Sequence, residues 1–95
     1  QETGVTVDRP ESDAAARVSG QFLPVAITKS GTVHVAGRTI ASGDRGAVAA
    51  ALRQQAASRV VLQADRDVPT GLLLEVMDTC RSAGAERVDV AAVRK

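Results

Sequence analysis

The stretch "RVVLQADRDVPTGLLLEVMDTCRSAGAERVDVAAV", residues 59–93, decides the fold. It begins with a short run rich in β-branched residues, which is typical of a buried strand. A helical pattern follows, and the stretch ends in the alternating pattern of a second strand. Strands joined through a helix require a crossover connection, so the stretch predicts a parallel β-α-β unit.

The predicted helix has recognisable ends. Asp67 is placed to cap its N-terminus, and Pro69 would lie in the first turn, where a missing N–H costs little. Gly84 can follow the last turn as the residue that ends the helix. The apolar stripe that would face the core comprises Leu73, Val76, Met77, Cys80 and Ala83.

The segment before this unit predicts two or three strands and a first helix. "QFLPVAIT" is typical of a strand, in which Pro24 favours an edge position or a start after the proline. Gly31 supplies a hairpin turn before "TVHVAG", and "RTIA" is a candidate third strand. Ser42 or Asp44 can cap the Ala-rich helix that follows. We therefore predict an α/β fold, a small two-layer sandwich in which a mixed sheet of four to five strands carries two helices on one face.

Residues 1–20 are predicted to be a flexible, disordered N-terminal tail, followed by a globular domain at 21–95. Within the tail, Val5 and Val7 alternate with polar residues before Pro10. This pattern indicates either a short strand or a solvated linker.

The composition argues against several classes of function. The 95-residue chain has a net charge of +1 and its basic residues form no block, so broad attraction to nucleic acid or membrane is not expected. Cys80 is the single cysteine, which excludes an intrachain disulfide and a multi-cysteine zinc site. No apolar run approaches the roughly 18 residues that span a bilayer. Because the chain begins at Gln1 rather than at Met, we expect it to be a fragment.

Two acidic residues are the strongest candidates for catalysis. Asp65 and Asp67 flank Arg66 at the predicted strand–helix junction and could form a carboxylate pair. Capping and turn formation explain the same residues without any chemistry. His34 is the single histidine, so a surface or structural role is favoured for it. We predict no enzymatic activity, no cofactor and no metal, with a small soluble α/β enzyme as the minor alternative.

The quoted stretch also resembles the C-terminal part of the ExbD/TolR family. "LPVAITKSGTVHVAGRTI" is similar to the family's strand–turn–strand segment. Val5, Val7 and Pro10 fit the alternating segment that ends in Leu-Pro after the family's membrane helix, although Arg9 stands where Leu is expected. The Val-Met-Asp helix and the short hairpin are more similar to ExbD than to TolR. The other matching residues are Ala64, Asp65, Arg66, Val68, Pro69, Val76, Met77, Asp78, Ala83 and Gly84.

The resemblance implies the periplasmic domain of an ExbD-like subunit of a proton-driven motor in the inner membrane of a Gram-negative bacterium. Such a motor contains an ExbB-like subunit, reached through an upstream membrane helix that holds the proton-carrying Asp. It energises a TonB-like protein for uptake of siderophores, haem or vitamin B12. A homodimer and contact with peptidoglycan are also implied. The alternative within the family is a TolR-like subunit of the Tol-Pal system that binds peptidoglycan and a TolA-like partner.

We expect the partner to be held by strand addition, in which an extended peptide pairs with an exposed sheet edge. The tail strand and the last strand are the candidate segments. Val90 matches a family position implicated in function. The predicted partner-binding residues are Val5, Val7, Pro10, Val88, Val90 and Ala92.

Overall fold

Six strands and two helices make up the part of the chain that the computed structural model describes, residues 5–7 and 21–93. They are β1 (Val5–Val7), β2 (Leu23–Ile27), β3 (Thr32–Val35), β4 (Arg38–Ala41), α1 (Arg45–Gln55), β5 (Arg59–Asp65), α2 (Thr70–Ser82) and β6 (Arg87–Val93). The strands form one sheet in the order β1-β6-β5-β2-β3-β4. Five of these strands and both helices lie within residues 21–93, which confirms the predicted α/β class.

The predicted β-α-β unit is formed by β5, α2 and β6. The two strands are parallel, with Arg59 opposite Arg87 at one end and Asp65 opposite Val93 at the other. β2 lies on the other side of β5 and is also parallel to it, while β2, β3 and β4 pair antiparallel. The sheet is therefore mixed, as predicted.

Helix α2 starts later than predicted, and the assignment of Asp67 as its cap is wrong. The helix begins at Thr70, and Pro69 is the N-cap, with no side-chain hydrogen bond at the cap. The helical conformation is unfavourable for a residue directly before proline, so the helix does not start at Val68. Instead the N–H of Asp67 donates to Oδ1 of Asp65 at 2.9 Å. The N–H of Val68 donates to the carbonyl oxygen of Asp65, also at 2.9 Å. The charged triplet is thus a tight turn that precedes the helix.

The other predicted helix ends are confirmed. Asp44 caps α1, because its Oδ1 accepts a hydrogen bond from the N–H of Ala47 at 3.1 Å. Gly84 follows α2 at a φ of +107°, a conformation that glycine adopts without steric cost. Within the described residues, neither helix is long and apolar enough to cross a membrane.

The core lies between one face of the sheet and the two helices. Val25, Val33 and Leu62 of the sheet are 0% exposed and pack in one cluster with Val48 of α1 and Cys80 of α2. Burying an aliphatic side chain of this size contributes about 1.5–3 kcal/mol. Because both helices contribute to this cluster, the predicted two-layer arrangement is confirmed.

Strand β2 accommodates a proline inside the sheet. The expectation that Pro24 marks an edge strand, or precedes the strand, is wrong, because β2 begins at Leu23 and lies between β5 and β3. The antiparallel ladder with β3 covers only Val25 to Ile27, so it ends before the residue that has no N–H to donate.

Strand β1 falls inside the segment predicted to be a tail. It runs parallel to the end of β6, with Val5 opposite Ala91 and Val7 opposite Val93. Of the two alternatives for this alternating segment, the structure has the strand. Pro10 lies outside the described residues, and the division into a tail at 1–20 and a domain at 21–95 stays a prediction.

Candidate functional site

Strand β6 has two differently paired edges. It pairs with β5 along its whole length, whereas β1 pairs only with Ala91–Val93 on the other side. Among the residues that the structure describes, no strand pairs with residues 87–90 on the side of β1. We call residues 87–90 of β6 the open edge. The N–H and C=O groups of such an edge are a template for a further strand, so this is the candidate partner site.

The apolar residues predicted to bind a partner face the helices. Val88, Val90 and Ala92 stand opposite the residues of β5 that face the core, and all three are half-buried. Val88 and Val90 also pack against the core cluster. Their side chains hold β6 on the domain, so an added strand would be held mainly through the backbone. The structure also brings the β1 segment that contains Val5 and Val7 beside the same strand.

The opposite face of β6 carries a charged cluster that the prediction of site residues missed. Oδ2 of Asp89 lies 3.3 Å from Nε of Arg59 and 3.3 Å from Nε of Arg87. The guanidinium of Arg59 also lies 5.7 Å from the ring centroid of Phe22. We call Arg59, Arg87 and Asp89 the charged triad. The alternation in "ERVDV" could have placed Arg87 and Asp89 on one face, but Arg59 joins them only through the register of β5.

The triad joins two arginines through one aspartate. Arg59 and Arg87 stand directly opposite each other on neighbouring strands, an arrangement in which like charges repel. Asp89 is an anion that both arginines contact, which offsets this repulsion. The side chain of Arg87 is 67% exposed, compared with 23% for Arg59. Arg87 is therefore the cation of the triad that a partner can reach.

A groove adjoins the triad at this end of the sheet. It has a volume of about 310 Å³ and is lined by residues 21–23 and 55–59. Its lining includes Phe22, the single aromatic residue of the chain, and Arg59. The groove thus lies on the β5 side of β6, whereas the open edge lies on its β1 side.

The residues considered for catalysis make local hydrogen bonds within the fold. Asp65 accepts the N–H of Asp67 in the turn before α2. His34 is half-buried, with Nδ1 3.0 Å from Oγ1 of Thr39 and Nε2 3.5 Å from Oγ1 of Thr32. In the described ranges, no three His, Cys, Asp or Glu side chains are grouped so as to hold a metal ion.

The buried thiol of Cys80 leads us to expect lower stability at alkaline pH. Burial, opposed in part by the charge of Arg81, raises the pKa of this thiol from 9.0 to about 11. Below pH 9 the thiol keeps its proton in both the folded and the unfolded chain. The contribution of the buried neutral thiol to the free energy of unfolding is then fully present. Between pH 9 and about 11 the unfolded chain loses the proton first, so the free energy of unfolding falls as the pH rises. We expect a loss of about 2 kcal/mol over this range, measured by urea unfolding.

The matched control is Cys80→Ala, which has no thiol to ionise. Its free energy of unfolding should lack this component of the pH dependence. Parallel pH profiles for the two proteins would contradict the prediction.

Comparison with known proteins adds one finding. A family model described as "Biopolymer transport protein ExbD/TolR" matches residues 1–95, the whole chain. The family is transport-related and non-enzymatic, and its members are inner-membrane motor subunits with a periplasmic domain. They work with ExbB- or TolQ-like and with TonB- or TolA-like partners. No curated protein matches the chain.

Proposed function

Because the chain belongs to the ExbD/TolR family of biopolymer transport proteins, we propose that it is the periplasmic domain of an ExbD-like motor subunit that binds a TonB-like protein through β6. The motor lies in the inner membrane of a Gram-negative bacterium and uses the proton gradient. An ExbB-like subunit joins it through an upstream membrane helix, and the domain acts as a homodimer. The TonB-like protein then drives uptake of siderophores, haem or vitamin B12 through the outer membrane.

The observation that carries this proposal is the incomplete pairing of β6 among the residues that the structure describes. Within the described residues, β1 pairs with three of the seven residues of β6, and we infer that a partner strand can add along the open edge. A partner strand that grows along β6 then meets β1 and takes its place. Partner binding and β1 pairing are thus competing events at one edge, which lets the domain exchange one strand for another.

Strand addition also suits a protein that must transmit force. Hydrogen bonds between neighbouring strands lie across the strand direction. A pull along an added strand therefore loads several of these bonds together rather than one after another. A partner held in this way can transmit a pull without the deep apolar pocket that a small ligand requires.

The test is an NMR titration of the chain with a peptide from a TonB-like periplasmic linker. We expect amide shifts in β6 and in β1, because the peptide pairs with the first and displaces the second. A peptide from a TolA-like protein is the control that distinguishes an ExbD-like subunit from a TolR-like one. Shifts confined to residues 65–71, or a response to the TolA-like peptide alone, would contradict the proposal.

A further inference from the structure

We draw no further inference here: the strongest candidate, the groove at the start of β2 and β5 that is lined by residues 21–23 and 55–59, carries nothing, because it adjoins residues that the structure does not describe and nothing in the structure shows what covers it.

Discussion

A disulfide between Thr6→Cys and Ala92→Cys is expected to weaken binding of a TonB-like linker peptide roughly tenfold or more. These two residues are register partners on the adjacent strands β1 and β6. Neighbouring strands lie about 4.8 Å apart, which is within the span of a disulfide. In the oxidised protein β1 cannot separate from β6. The state in which a partner can pair along the whole of β6 is therefore depleted, and the apparent affinity for the peptide falls. Titration of the oxidised protein with a fluorescein-labelled TonB-like linker peptide, followed by anisotropy, measures this loss.

Reduction of the same protein is the internal control, because it should restore the affinity of the unmodified chain. The native Cys80 does not compete for the new pair, since it is 0% exposed and the pKa of its thiol is raised to about 11. Equal affinity before and after reduction would show that the partner does not displace β1. Such a result would restrict the contact to the open edge.

Leu62→Ala is expected to lower the free energy of unfolding by about 3 kcal/mol. Leu62 is 0% exposed and lies in β5, the strand between β2 and β6. Removing a buried Leu side chain forfeits its transfer free energy and leaves a cavity among the core residues. A domain of this size has a total stability of about 5–15 kcal/mol, so the loss is a large part of the whole. Urea unfolding followed by circular dichroism measures it.

Leu74→Ala is the matched control for that substitution. The chemical change is the same, but Leu74 on α2 is 54% exposed. We expect a change within about 0.5 kcal/mol at this site. Similar losses for both variants would mean that β5 is not the centre of the core.

The β-α-β unit could be predicted from residues 59–93 because its signals are local. Apolar periodicity, turn residues and the terminal Gly84 each act within a few positions. The predicted start of α2 is wrong because two local rules compete at this point. Asp67 favours a cap, but Pro69 keeps the residue before it out of the helical conformation, and the second effect prevails.

The candidate site was harder to predict because it depends on register. Nothing near Arg59 in the sequence indicates that it lies beside Arg87, since the pairing of β5 with β6 brings them together. The same holds for β2, whose interior position despite Pro24 is set by its neighbours. The sequence alone therefore predicts which segments are strands, and the assembled sheet determines which charges meet.

The pairing of β1 with β6 joins residues from opposite ends of the chain, Val5 with Ala91. Closing so long a loop is entropically costly, and contacts distant in sequence are slow to form. The β-α-β unit and the hairpin of β3 and β4 need only short loops, so they can assemble before β1 pairs with β6. In molecules that fold in this order, the described outer edge of β6 stays unpaired until β1 joins the sheet. At that stage the edge is accessible to a partner strand and also vulnerable to aggregation.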